Sequence, residues 1–192
     1  MNKIFTLVDS PDENDNANYL VNRILDGSMD LSTNMIFLHY AQKLHNVQKC
    51  SGCGNCQKGK GCPLDDNLSD WRDEILQSDV FIFGATLDKT KYPVKFDNIV
   101  ERFLKQSKNL NLQGKKVIIV IASKMSNSEV LDAILSVRQQ FEDAGMDYAD
   151  DLIFMESEGS FSAKDNEAAS NRALLIGKGL RTNWRPYDAK SS

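Results

Sequence analysis

Val80-Phe81-Ile82-Phe83-Gly84-Ala85 is apolar throughout, the pattern of a central parallel strand covered on both faces. Lys116–Ala122 (KVIIVIA) reads the same way. Working outward, Lys3–Asp9 (KIFTLVD) is a buried first strand and Asn34–His39 (NMIFLH) a second, with Asp151–Met155 a weaker fifth. Helical spacing fills the gaps. Asn16–Asp26 puts Leu20, Val21, Ile24 and Leu25 on one face, and Gly27 closes it. Asn67–Gln77 carries Trp71, Ile75 and Leu76, and Phe96–Lys105 follows the third strand. Ser128–Ala144 is long and amphipathic, with Ser126 or Ser128 as its cap and Gly145 as its stop. Asn166–Leu180 is the last helix.

Strands alternating with helices predict an α/β, doubly wound parallel sheet with helices on both faces. Five strands fit the flavodoxin-like order 2-1-3-4-5. One domain over residues 1–181 is expected, with a cysteine-rich loop at 48–66 and a polar tail at 182–192. In such folds ligands bind beyond the carboxyl ends of the strands. That points to Asp9–Asn18, Ala85–Val94 and Ser123–Ser128, with the cysteine loop expected at the same edge. The 192 residues carry a net charge of −4, and no basic patch argues for nucleic acid. No stretch is long enough to span a membrane, and Ile4–Val8 is too short for a signal peptide. The cytoplasm is the expected compartment, where thiols stay reduced.

All four cysteines, Cys50, Cys53, Cys56 and Cys62, fall in K-C-S-G-C-G-N-C-Q-K-G-K-G-C-P, a C-x2-C-x2-C-x5-C-P run. Three thiolates at successive i+3 positions can face one small volume, and the fourth returns after a flexible turn. Glycines at 52, 54, 59 and 61 let the backbone wrap closely. A [4Fe–4S] cluster fits the C-x2-C-x2-C opening and the Cys-Pro close. A four-cysteine zinc site usually has two separated C-x2-C knuckles, and a second knuckle is missing here. Free thiols or two disulfides in a surface loop are the third reading.

Four places resemble the NAD(P)H-dependent FMN reductase-like branch of the flavodoxin-like fold, and within it the iron–sulfur flavoproteins. Ser10-Pro11 and Asn14-Asp15-Asn16 stand where that family has its phosphate loop. Cys50–Asp66 looks like its cysteine segment with a trailing Asp pair. S-D-V-F-I-F-G-A-T-L-D (Ser78–Asp88), then I-V-E-R ending at Arg102, is similar to its third strand and following helix. Ala144-Gly145-Met146 is the fourth place. The resemblance implies FMN with its phosphate on the first loop and its ring against Ala85, Thr86, Leu87 and Asp88. It implies NAD(P)H as hydride donor, a cluster passing single electrons to a redox partner, and a homodimer or larger assembly.

The loops depart from the family pattern. Asp9 and Asp15 replace glycines, Ala17 replaces Thr, and four carboxylates lie within residues 9–15. Two unit charges 4 Å apart repel by about 1 kcal/mol in water and about 4 kcal/mol at an effective dielectric of 20. Ser10, Asn14, Asn16 and Asn18 remain as neutral donors. Thr86 and Asp88 replace a Pro and an aromatic, and the third loop, Ser123-Lys124-Met125-Ser126, lacks the family glycines. Two function classes follow: an FMN-dependent NAD(P)H oxidoreductase or electron-transfer protein, and a flavin-free member whose metal–thiolate site is structural or sensing and which acts by binding a partner. Asp12, Asn14 and Asn16 begin like an EF-hand, but Ala17 and Arg23 break that pattern. His39 lies in the second strand, and His45, close to Cys50, could tune a cluster but reads as a surface histidine; Trp71 and Trp184 read as core or tail contacts, and Asp147–Asp151 as a solvated turn. Nothing resembles a Ser/His/Asp triad.

Overall fold

The computed structural model describes residues 2–10, 12, 14–29, 34–64, 66–87, 93–107, 109–156 and 162–181. Five strands form one parallel sheet: β1 (Asn2–Asp9), β2 (Asn34–Tyr40), β3 (Val80–Leu87), β4 (Lys116–Ser123) and β5 (Asp147–Met155), in the order β2-β1-β3-β4-β5. The flavodoxin-like architecture predicted from the alternating pattern is the one observed. β1, β3 and β4 are buried almost end to end, which is why their sequences are continuously apolar.

Among the described residues, five helices cover the two faces: α1 (Asn16–Ser28), α2 (Arg72–Gln77), α3 (Val94–Lys105), α4 (Asn127–Asp143) and α5 (Glu167–Gly179). One face packs Leu20, Val21 and Ile24 of α1 and Ala173 and Ile176 of α5 against Ile4, Ile82 and Val120. The other packs α2, α3 and α4 against Phe5, Phe81, Phe83 and Ile119. Phe83 makes edge contacts with Phe96 and Phe103 and a stacked one with Phe141.

Three boundaries differ from expectation. Gly27 lies inside α1 rather than closing it. The reason is packing: a Cβ at Gly27 would stand 2.3 Å from the Leu174 carbonyl oxygen, and one at Gly177 would stand 1.9 Å from that of Ile24. The two glycines let α1 and α5 cross backbone to backbone. Asp147–Asp151 is not a turn but the first half of β5, paired with β4 from Lys116 onward. Its carboxylates are tolerated because β5 is an edge strand, and Asp150 meets Arg172 at 2.6 Å. The predicted Asn67–Gln77 helix is a 3-10 turn over Asn67–Trp71 before it becomes α2. Gly145 does stop α4, at φ +85°, with Met146 N–H on Phe141 O and Gly145 N–H on Glu142 O.

Candidate functional site

The register sets Asp9 beside Ala85, Thr86 beside Ala122 and Leu87 beside Ser123, so the ends of β1, β3 and β4 lie side by side. From them the chain runs to α1, α3 and α4, whose N-termini carry unpaired backbone N–H groups and a positive dipole end. Each is met by a carboxylate of the chain itself. The Asp15 side chain caps α1, accepting Ala17 N–H at 2.8 Å. It also accepts the Thr86 hydroxyl at 2.6 Å, tying the first loop to the end of β3. Asp9, buried at the end of β1, accepts Phe96 N–H in the first turn of α3 at 3.0 Å. Burial pushes the Asp9 carboxyl above its usual value, against the pull of the Phe96 bond and of Lys95. Glu129 accepts Ser126 N–H at 3.0 Å and the Ser126 hydroxyl at 2.6 Å, and these bonds hold its carboxyl below the usual value.

The predicted neutral donors are engaged with the protein. Ser10 donates to the Asp12 carbonyl at 2.9 Å. Asn14 N–H donates to the Asp12 carboxylate at 2.9 Å. Asn16 donates to Glu156 at 2.6 Å and accepts Ala163 N–H at 2.6 Å. Asn18 is buried and accepts from Asn22 at 3.2 Å. Asp12 and Asn14 thus bond to each other, while Asn16 turns to Glu156 and Ala163. Ala85, Leu87 and Ser123 are buried, and Ser123 donates to the Leu87 carbonyl at 3.3 Å. Asp88, Pro11, Glu13 and Trp184 lie outside the described residues.

The cysteine loop starts near the first turn of α3, where Lys49 shares a pocket with Val94 and Phe96, but Cys56 and Cys62 stand away from the three loops. It runs beside the last turns of α3, because Asp66 and Cys62 are drawn to Arg102. Phe96 and Lys105 are nine residues apart in α3, about 13 Å at 1.5 Å per residue, which separates the two regions. Arg102 is buried, forms an ion pair with Asp66, and reaches the Cys62 sulfur at 3.3 Å. Burial opposes its charge, but Asp66 and Cys62 outweigh that and raise its pKa. Lys105 is held above its usual value first by Glu101 and then by Cys50 and Cys56. Bonds from the Asn55 backbone and the Ser51 side chain hold the Cys53 thiol below its usual value. All four cysteines are free thiols, and Gly52, Gly54, Gly59 and Gly61 all take positive φ. Among the described residues, no three of these or other candidate ligands stand together as a metal-binding group.

Sequence reasoning gave Arg102, Asp66 and Glu156 no role. Arg102 and Asp66 were already present in the quoted I-V-E-R and trailing Asp pair. Glu156 carried no signal, because it reaches Asn16 only through the fold. His39, in β2, lies against Trp71 at 4.3 Å between ring centroids, tilted by 31°, and pairs with Glu74. His45 is exposed.

The family model for NADPH-dependent FMN reductase matches residues 2–159. The chain belongs to the NADPH-dependent FMN reductase family. It is therefore an NAD(P)H-dependent oxidoreductase by class, and membership supports FMN as the family's cofactor. No curated protein matches the chain. Among solved structures, an NAD(P)H:quinone oxidoreductase from Methanothermobacter marburgensis is 11% identical, with a TM-score of 0.67 over 96% of this chain and 99% of that one. The Trp repressor binding protein from Bacillus subtilis is 13% identical, with a TM-score of 0.61 over 93% and 99%. A WrbA-like flavodoxin from Agrobacterium tumefaciens is 12% identical, with a TM-score of 0.63 over 94% and 98%. These likenesses show the shared fold. Among the described residues, no helix is long and apolar enough to cross a membrane.

The family's phosphate end does not fit this chain as folded. A phosphate dianion on α1 would compete with Asp15 for Ala17 N–H and would meet Asp12 and Glu156 nearby. The cysteine loop does fit a metal by its donor chemistry: four reduced thiols, two cationic side chains and a backbone free to wrap.

Proposed function

We propose that this chain is a redox enzyme using NAD(P)H, with Cys50, Cys53, Cys56 and Cys62 as the ligands of a [4Fe–4S] cluster. The observation that carries the reading is the run of four thiols with Arg102 on Cys62 and Lys105 facing Cys50 and Cys56, two cations whose own charges are met by Asp66 and Glu101. Cations favour the thiolate form that metals require. A bound cluster supplies one-electron transfer to a redox partner; zinc in its place would make the loop a structural clip. The chain's own work is to bury Arg102 with Asp66 and to keep the loop on α3 through the Arg102–Cys62 contact. Ser10, Asn14, Asn16, Asn18, Ala85, Thr86, Leu87, Asp88 and Ser123 are the positions offered to a flavin. Ser10, Asn14 and Asn16 would have to release protein partners to serve it. A cytoplasmic homodimer or larger assembly completes the reading.

One observation favours a second reading. Asp15 closes the α1 N-terminus, as expected of a flavin-free member whose metal–thiolate site senses or stabilises while the fold binds a partner. The deciding experiment is purification without oxygen, with the visible spectrum and iron, zinc, sulfide and released flavin assayed together. A brown protein with stoichiometric iron, sulfide and flavin supports the first reading, and brown without flavin selects the second. A colourless zinc protein removes the cluster. Iron and sulfide that survive Ala at all four cysteines would show the ligand assignment to be wrong.

A further inference from the structure

Between the sheet, α2, α3 and the cysteine loop lies a cavity of about 150 Å³. Phe5 and Phe83 form part of its wall from the sheet, with Trp71 and Ile75 on one side and Ile99 and Phe103 on the other. An apolar cavity of about this volume in another protein admits benzene. The wall rings present both faces and edges: Phe5 and Trp71 are tilted by 59° at 5.9 Å, and Phe83 and Phe103 by 66° at 5.5 Å. The exposed residues Gly61, Ser69 and Arg72 contribute to its lining and leave a way in.

An independent feature points to a ligand. Arg102 also lines the cavity, is 3% exposed, and has two nitrogens occupied by Asp66 and Cys62. Among the described residues, its Nε–H has no hydrogen-bond partner. A buried donor left without an acceptor carries a desolvation penalty that a ligand oxygen would remove. The guanidinium charge is already met by Asp66, so an anionic ligand would bury a charge without a partner.

We propose that this cavity binds a small, uncharged, single-ring aromatic molecule with one accepting oxygen, the ring among the phenyl side chains and the oxygen on Arg102 Nε–H. The site is separate from the three loops at the strand ends and does not depend on which cofactor they hold. The test follows the Arg102 Nε–H resonance in 15N-labelled full-length protein while acetophenone, ethylbenzene or benzoate is added. Acetophenone should shift that resonance and bind about tenfold more tightly than ethylbenzene, which matches its shape but has no acceptor. Benzoate should bind more weakly than acetophenone. Leu68→Trp places bulk at the cavity wall and should abolish the shift while the rest of the spectrum stays folded; Ile99→Phe serves if that variant does not fold. An unmoved Arg102 resonance at saturation, equal binding of ethylbenzene, or unaltered binding in the filled variant would overturn the assignment.

Discussion

Replacing Asp15 with Asn should raise the affinity for FMN by about thirtyfold while leaving riboflavin affinity unchanged. The Asp15 carboxylate accepts Ala17 N–H at 2.8 Å, so a phosphate oxygen on the same helix end would lie about 4 Å from that charge. Two unit charges at 4 Å repel by about 4 kcal/mol at an effective dielectric of 20. Asp15 is half-buried, and solvent screening reduces this to about 2 kcal/mol. At 1.4 kcal/mol per factor of ten, that is about thirtyfold. Asn caps helices as well as Asp does and still offers an oxygen to Ala17 N–H and to the Thr86 hydroxyl, so stability should change little. The assay is quenching of flavin fluorescence on titration with protein, run with FMN and riboflavin at low and high salt. The gain for FMN should shrink as salt rises. An equal gain for both flavins would show that the substitution relieves a steric block. No gain for FMN would refute the electrostatic account of this loop.

Asp9→Asn should flatten part of the pH dependence of stability. The Asp9 carboxyl is raised by burial above 3.8, so the folded state holds its proton more tightly than the unfolded chain. Its stabilising effect is full below that value and is lost as pH rises through the raised one; urea denaturation at stepped pH should show a shallower decline in the variant. Asp150 is also raised, by burial first, and should keep a residual slope. Asp66→Asn leaves the guanidinium of Arg102 buried without its carboxylate and should destabilise the fold by about 3–5 kcal/mol in the same denaturation; a loss under about 1 kcal/mol would show that the pair is not dry. Gly177→Ala drives a methyl into the Ile24 carbonyl and should lower stability by about 1–3 kcal/mol, read as a drop in melting temperature.

The sheet was legible because its three inner strands are buried on both faces and therefore read as unbroken apolar runs. β5 was legible only in its second half. Asp147, Asp150 and Asp151 hide a strand whose pairing with β4 and whose Arg172 contact are non-local. Gly27 misled for a related reason: a glycine that ends a helix and one that admits a neighbouring helix look alike until Gly177 is seen opposite. The acidic character of the first loop could be read directly. That Asp9 turns to α3 and Asp15 to α1 could not, since each depends on where another element's N–H groups lie. The cysteines were plain, but their place beside α3 was decided by Arg102, forty residues further along the chain than Cys62.

The backbone-to-backbone crossing of α1 and α5 has a consequence for how the chain can be divided. The stretch that defines the family stops at residue 159, whereas the helix gripping α1 begins at Glu167. Asn16, at the head of α1, is also anchored to Ala163. The first loop is therefore held in place by a segment outside the part that identifies the family. A change in α5 would reposition that loop without altering a residue of it, and a polypeptide ending at 159 would keep the family's signature while losing the clamp on α1.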